Sequence, residues 1–243
     1  MIEHNELIID GIATSSFPFK IIVHTAPSVQ FNTSKTNLIE HNGISGALTV
    51  TNKKRALIKK NYTIYLVRPT ETQLFEFLAL LSRENFWLES EAMQLVKYFV
   101  YKVDTFESIR DAFGVYTLDV SFICHPTKFF KEEDSQIFTE NGVLQLKGTA
   151  LAHPTLIIKG NSTGETIVTI GTQSIRLKQL DERVTIVSDP KQARVLDKQN
   201  RENFVDWSGD FICLETNKSD KTIGVALGSG IRELEIKTLW GYV

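Results

Sequence analysis

The C-terminal part of the chain has no segment with helical periodicity, and this restricts the fold more than any other feature. Residues 142–243 run through short segments rich in β-branched and apolar side chains, separated by turn residues. The predicted strands are 155–159, 166–170, 174–177, 183–187, 194–196, 210–214, 222–227 and 233–239. Gly160-Asn161 and Gly171-Thr172 are interpreted as tight connections. Strands at this spacing are typical of a β-sandwich, here of about eight strands.

The N-terminal part predicts strands around one helix. Strand patterns cover residues 19–24, 47–51, 61–67, 96–103 and 116–124. Thr70 and Gln73 have the spacing of a capping box, which marks the first turn of a helix. An apolar stripe follows at the spacing of one helix face, formed by Leu74, Phe77, Leu78 and Leu81. We expect this helix to end near residues 83–85 and to bury its stripe against a sheet.

A charged segment at residues 131–135, without any apolar side chain, separates the two parts. The strand before it is expected to stop at His125-Pro126, because proline cannot donate a hydrogen bond to a neighbouring strand. Such a change in composition is typical of a domain boundary. The sequence therefore predicts two domains, 1–132 and 133–243.

Charge and cysteine content exclude several classes of protein. The 243 residues include 27 Lys and Arg against 29 Asp and Glu, a formal net charge of −2. A chain so balanced is not a general binder of nucleic acid or of anionic membranes, because phosphate affinity needs an excess of positive charge. Cys124 and Cys213 each lie in an apolar run, which predicts two reduced core cysteines. The polar, acidic N-terminus lacks the pattern of a secretory signal, so we expect synthesis in a cytoplasm and no membrane association.

No pattern of catalytic, cofactor-binding or metal-binding residues stands out. The histidines at positions 4, 24, 41, 125 and 153 have no spacing typical of metal ligands. No nucleophile is paired with a base in a recognisable motif. The expectation is therefore a protein without catalytic activity, cofactor or metal.

Positive charge is concentrated in one place. Five cations fall within eight residues around an apolar triplet: Lys53, Lys54, Arg55, Lys59 and Lys60. One interpretation is a solvated hairpin arm or edge strand, where lysines deter edge-to-edge pairing. The other is a contact surface for an acidic neighbouring subunit, or the lining of a passage for nucleic acid.

Aromatic residues crowd the predicted helix and the strands after it. They are Phe75, Phe77, Phe86, Trp87, Tyr98, Phe99 and Tyr101. Most are expected in the core of the N-terminal domain. A domain of about 130 residues cannot hide all of them, which leaves some for subunit contacts.

Several segments, taken in order, resemble one protein family. An N-terminal Ile-Asp-Gly turn is followed by Asn-Gly-Ile-Ser-Gly-Ala-Leu at 42–48 and by Asp-Val-Ser-Phe-Ile-Cys-His-Pro-Thr-Lys-Phe-Phe at 119–130. The second half has His-Pro-Thr-Leu-Ile-Ile-Lys-Gly at 153–160 and Trp-Ser-Gly-Asp-Phe-Ile-Cys-Leu at 207–214. This order resembles the distal tail (Dit) proteins of long-tailed phages and prophages of Gram-positive bacteria. The turn at 216–221 departs from the family's usual Pro-Gly-x-Asn pattern.

The resemblance implies a mainly β fold and a structural role. An N-terminal β-sandwich or barrel-like domain with one helix, similar to tail-tube proteins, would precede a C-terminal galectin-like β-sandwich. Six N-terminal domains would close a ring at the virion tail tip or baseplate, with genomic DNA only in transit through its channel. The implied partners are the tail tube protein, a tail-associated lysin or tail-tip protein, and a receptor-binding protein, with the five cations as candidate contacts. The alternative is a carbohydrate-binding β-sandwich module with exposed aromatics such as Trp207.

Overall fold

The computed structural model describes residues 6–25, 28–30, 34–40, 42–43, 45–90, 93–104, 106–216 and 220–243, and of residues 52 and 53 the backbone only. The chain divides into two compact units, one up to Lys131 and one from Glu132 to Tyr242. Each unit has its own buried side chains.

The first unit is built on one large antiparallel sheet and one helix. Its strands are β1 (Leu7–Ile9), β2 (Ile12–Ala13), β3 (Lys20–Val23), β4 (Ser34–Glu40), β5 (Ala47–Arg55), β6 (Ile58–Val67), β7 (Phe86–Ser90), β8 (Val96–Val103), β9 (Ser108–Arg110) and β10 (Val115–Phe130). The helix α1 (Glu71–Leu81) lies between β6 and β7, and a short 3-10 turn follows β2. The sheet order is β2-β1-β7-β8-β10-β6-β3, with β9 also paired to β10. Strands β4 and β5 form a separate two-stranded sheet.

Helix α1 begins with the predicted capping box. The Gln73 amide donates to Thr70 Oγ1 at 3.3 Å, and the Thr70 amide donates to Gln73 Oε1 at 2.9 Å. Together these bonds satisfy two of the amides that a helix N-terminus leaves without partners. The helix ends at Leu81, earlier than predicted, because the Arg83 amide donates to the Leu80 carbonyl at 3.4 Å, three residues back and not four as in an α-helix. It buries Leu74, Phe77, Leu80 and Leu81 in the core, whereas Leu78 is only partly buried.

The core of the first unit lies between this helix and one face of the sheet. Alternate side chains of β6 point into it, as period-two geometry requires, and Ile58, Tyr62, Ile64 and Leu66 are all buried. Phe122 and Cys124 of β10 complete the same face. The apolar alternation that predicted strands therefore also determines which face is buried.

The prediction that the strand stops at His125-Pro126 is wrong. Strand β10 continues to Phe130, and the register with β8 shifts between Cys124 and Lys128. Three residues of β10 oppose one of β8 across this irregularity, since Cys124 pairs with Val100 and Lys128 with Tyr98. Pro126 falls inside the gap, where no ladder hydrogen bond is needed from it.

The second unit contains two five-stranded antiparallel sheets. Their strands are β11 (Asp134–Phe138), β12 (Gly142–Gln145), β13 (Thr155–Ser162), β14 (Thr166–Ile170), β15 (Gln173–Leu177), β16 (Leu180–Val187), β17 (Arg194–Leu196), β18 (Trp207–Gly209), β19 (Thr222–Leu227) and β20 (Ile231–Thr238). The short strand β21 (Gly241–Tyr242) belongs to neither of these two sheets. One sheet has the order β11-β20-β13-β16-β17 and the other β12-β19-β14-β15-β18. Alternate residues of both sheets are buried, which is the arrangement of a sandwich. The predicted mainly β fold with one helix is confirmed.

Three predictions about individual segments of this unit are wrong. The charged segment ends at Glu133, because Asp134 and Ser135 already pair with β20. Gly160-Asn161 is not a turn but lies inside β13, where Gly160 passes within contact distance of the Gly230 backbone. Residues 210–214 are not a strand, since the Cys213 backbone exchanges hydrogen bonds of 2.9 and 2.7 Å with the Gln173 side-chain amide.

Candidate functional site

Strands β4 and β5 form a two-stranded ribbon, which we call the arm. All seven residues of β4 are exposed, and so are residues 47–51 of β5. The arm's two strands pair from Ser34–Arg55 to Glu40–Ala47, with a register shift between Ser34 and Thr36. A two-stranded ribbon is marginally stable on its own in water, because it has no third strand or helix to cover its apolar side chains.

The arm has one predominantly apolar face. The register pairs Asn37 with Val50 and Ile39 with Leu48, so these four side chains lie on the same face. Ile39, Leu48 and Val50 are 50, 53 and 55% exposed. An exposed apolar strip of this kind marks an interaction surface more often than a solvated one.

The structure does not bring the five predicted cations to one surface. Lys54 is exposed at the base of the arm and Arg55 is half-buried there, while the Lys53 side chain lies outside the described residues. Lys59 is exposed on β6 and forms an ion pair of 2.7 Å with Asp104. This bond lowers the pKa of the Asp104 carboxyl.

Lys60 points to the opposite side of β6 from Lys59 and is buried, at 2% exposure. Its Nζ donates to the Ser28 carbonyl and lies 3.3 Å from Ser28 Oγ and 5.1 Å from the centre of the Tyr98 ring. Burial lowers the pKa of Lys60, and it raises the pKa values of Tyr98 and Cys124 each to about 12. Lys60 is therefore part of the polar end of the core and not of an exposed cationic surface.

The opposite face of the main sheet carries a continuous set of aromatic rings, which we call the aromatic face. Its members are half-buried and stack edge to face or at a tilt, with centroids 5.2–6.2 Å apart: Trp87, Phe99, Tyr101, His125 and Phe129. The Lys97 ammonium lies 4.6 Å from the Trp87 ring centre. Of the aromatics noted in the sequence, Phe77, Phe86 and Tyr98 are buried, whereas Phe75 is 59% exposed.

In the second unit, the aromatic Trp207 is half-buried and stacks against Phe211. Cys124 is buried as predicted, but Cys213 is only half-buried, because the segment around it runs along the surface of the unit as a loop.

The described part of the chain has neither a group of metal ligands nor a membrane-spanning helix. Within those ranges, no three His, Cys, Asp or Glu side chains are grouped so that they could hold a metal ion. No helix in them has the length and apolar character needed to cross a membrane. His4, His41 and residues 217–219 of the departing turn lie outside the described residues.

No protein-family model matches the chain, and no curated protein sequence matches it. Its structure is nevertheless similar to a solved one, the Dit protein (gp19.1) of phage SPP1. That protein is described as a paradigm of the hub adsorption apparatus in phages that infect Gram-positive bacteria. The TM-score is 0.75, and the match covers 96% of this chain and 98% of that one. The chain has the Dit fold. The identity is 14%, so the two chains share the fold but few side chains.

The sequence resemblance to Dit proteins is thus confirmed at the level of the fold. Sequence reasoning did not foresee the apolar face of the arm, since β4 was not predicted as a strand. The aromatic face was foreseen only as a surplus of aromatic residues. The alternation in Val-Lys-Tyr-Phe-Val-Tyr at 96–101 is sufficient to predict this face, because it places Tyr98 and Phe99 on opposite faces of the strand.

Proposed function

We propose that the protein is a structural hub of a phage tail tip, in which six copies close a ring through their first units. The observation that carries this proposal is the Dit fold over nearly the whole length of both chains. A protein of this kind works through large complementary surfaces and not through a catalytic pocket. The proposed location is the virion tail tip or baseplate, after synthesis in the host cytoplasm.

The arm is the proposed contact between neighbouring copies. Its apolar face of Ile39, Leu48 and Val50 is exposed within one chain, and a ring gives every arm the same neighbour. Cyclic assembly requires such a heterologous contact, in which one patch meets a different patch on the next subunit. Burial of the three side chains would stabilise the contact by roughly 2–4.5 kcal/mol, since each is about half exposed and would gain about half of the roughly 1.5–3 kcal/mol of full burial.

The remaining surfaces are assigned to other partners. The aromatic face has the composition of an interface core, because Trp, Tyr and Phe are enriched there. We assign it to the tail tube protein or to the tail-tip protein, and we assign the second unit to receptor-binding components. Of the five cations, Lys53, Lys54 and Arg55 keep their proposed role as contacts at the arm base. Lys59 and Lys60 are engaged within their own unit.

Native mass spectrometry across a concentration series tests the proposal. The expected species is six copies of the 27.5 kDa chain, about 165 kDa, which grows at the expense of the monomer as concentration rises. A mass that corresponds to one or two chains at every protein concentration up to about 100 µM contradicts the proposed self-assembly.

A further inference from the structure

A groove in the second unit is not used by the proposed ring. It lies beside β17 and β18, which are the edge strands of the two sheets, and has a volume of about 220 Å³. Its polar lining includes Arg194, Glu202 and Asn203, and its aromatic lining is Trp207 with Phe211. The groove therefore combines aromatic rings with hydrogen-bonding groups of both charge signs.

The aromatic wall is formed by two rings that contact each other. The centroids of Trp207 and Phe211 are 5.1 Å apart with an interplanar angle of 56°, and both side chains are half-buried. Each ring is thus held by its neighbour while part of its surface stays open to the groove. A flat, partly exposed indole is suited to contact the C–H face of a ring-shaped ligand.

The polar wall keeps unused hydrogen-bonding capacity. Arg194 Nη1 and Glu202 Oε1 are 3.9 Å apart, which is longer than a hydrogen bond, and their side chains are 44% and 55% exposed. A guanidinium and a carboxylate at this separation can donate to and accept from two adjacent hydroxyl groups of one ligand. Since the two charges cancel, the groove favours a neutral ligand over a polyanion.

Hydrogen bonds within the chain hold the loop that presents Glu202 and Asn203. Asp197 Oδ1 accepts from the Gln199 and Arg201 amides at 2.9 and 2.8 Å. Its Oδ2 accepts from the Arg201 guanidinium at 2.8 and 2.7 Å. A backbone bridge between Leu196 and Glu202 then fixes the loop against β17. Such preorganisation reduces the entropy lost on binding.

This bridge also argues against an extended peptide that pairs with β17. A peptide that adds to a sheet needs a free strand edge, and Glu202 already occupies the edge of β17 at Leu196. We propose that the groove binds a neutral saccharide. One pyranose ring stacks on Trp207, and its hydroxyl groups bond Arg194, Glu202 and Asn203. This site goes beyond the hub function, because ring assembly does not require it.

Saturation-transfer NMR on the full chain tests the site. The probes are methyl β-glucopyranoside, methyl β-galactopyranoside and N-acetylglucosamine, each at about 10 mM because single sugars bind in the millimolar range. The expected result is transfer to the ring protons of at least one probe. Trp207→Ala and the isosteric Glu202→Gln should each weaken binding about tenfold, equivalent to about 1.4 kcal/mol.

Phe113→Ser is the matched control, since Phe113 is 75% exposed in the other unit and should leave binding unchanged. If Trp207→Ala disturbs the structure of β18, the isosteric Glu202→Gln still tests the site. Absence of transfer from all three sugars overturns the proposal, and so does equal transfer in wild type and Glu202→Gln. Transfer from a mixed peptide digest without transfer from the sugars assigns the groove to a peptide instead, and also overturns it.

Discussion

The Trp240 indole donates a hydrogen bond from Nε1 to Oδ2 of Asp134 at 2.9 Å. Asp134 begins the first strand of the second unit, and Trp240 lies just after its last long strand and is fully buried. The same carboxylate accepts from Lys147 at 2.6 Å and from Gln136 at 2.9 Å. One side chain therefore joins the two ends of this unit.

Replacement of Asp134 should make stability less dependent on pH. Burial alone would raise the pKa of this carboxyl, but the bonds from Lys147, Trp240 and Gln136 together lower it. A lowered pKa contributes stability that is present above the unfolded-state value and is lost as pH falls through the folded-state value. Asp134→Asn should therefore reduce the free energy of unfolding at pH 7 by about 1–3 kcal/mol, with a smaller reduction below about pH 4.

Urea unfolding at both pH values, at one protein concentration, measures this effect. Asp206→Asn is the control, because its pair with Lys178 is exposed on both sides and should change stability by less than about 1 kcal/mol. An equal loss of stability at pH 7 and at low pH would show that the charge of Asp134 is irrelevant.

Gly160 is predicted to tolerate no side chain. A Cβ at this position would lie 2.1 Å from the Gly230 carbonyl oxygen and 2.9 Å from Ile231 Cα, both backbone atoms. Gly160→Ala should destabilise the protein by about 3 kcal/mol or more, since strands β13 and β20 must move apart. Gly164→Ala is the matched control, because nothing lies within 4 Å of its Cβ position. Thermal unfolding of both variants tests this prediction, and equal midpoints would contradict it.

Lys60 is predicted to make stability rise with pH. Burial lowers its pKa in the folded state, so between that value and 10.5 the unfolded chain binds more protons than the folded chain. The contribution of Lys60 to stability therefore increases as pH rises through this interval. Lys60→Met removes the effect while keeping the length of the side chain. Denaturant unfolding at pH 7 and 10 should give a less positive change in the free energy of unfolding for the variant than for wild type. An equal change in both proteins would contradict the prediction.

The arm is predicted to control assembly without controlling the fold. Leu48→Thr combined with Val50→Thr keeps high strand propensity but removes most of the apolar face. The concentration at which half of the chains are assembled should rise at least about tenfold, equivalent to about 1.4 kcal/mol. The thermal midpoint of the dissociated chain should not change. Phe113→Ser, which also removes an exposed apolar side chain, should assemble as wild type does. If both variants assemble alike, the arm is not the contact.

Features encoded locally were predictable from the sequence. The capping box of Thr70 and Gln73 involves residues three apart, so its hydrogen bonds follow from the helix itself. The alternation in β6 was equally readable and, extended back from Tyr62, would have placed Lys60 beside Ile58 in the core. The run of positive charge instead favoured an exposed position for Lys60, because charged runs are usually solvated.

Features that depend on distant partners were not predictable. Pro126 is tolerated in β10 only because the pairing with β8 is interrupted there. Gly160 is needed only because Gly230 lies against it, 70 positions along the chain. The groove of Arg194, Glu202 and Trp207 depends on a loop that folds back on β17. None of these relationships leaves a periodic pattern in the sequence.

Negative-stain electron microscopy of the assembled chain tests the central claim most directly. If the protein is a tail-tip hub, class averages of the heaviest species should show closed rings of six subunits with a central hole. Leu48→Thr with Val50→Thr should remove these rings at the same concentration. Solid particles without a channel, or open chains of variable length, would contradict the proposed hub.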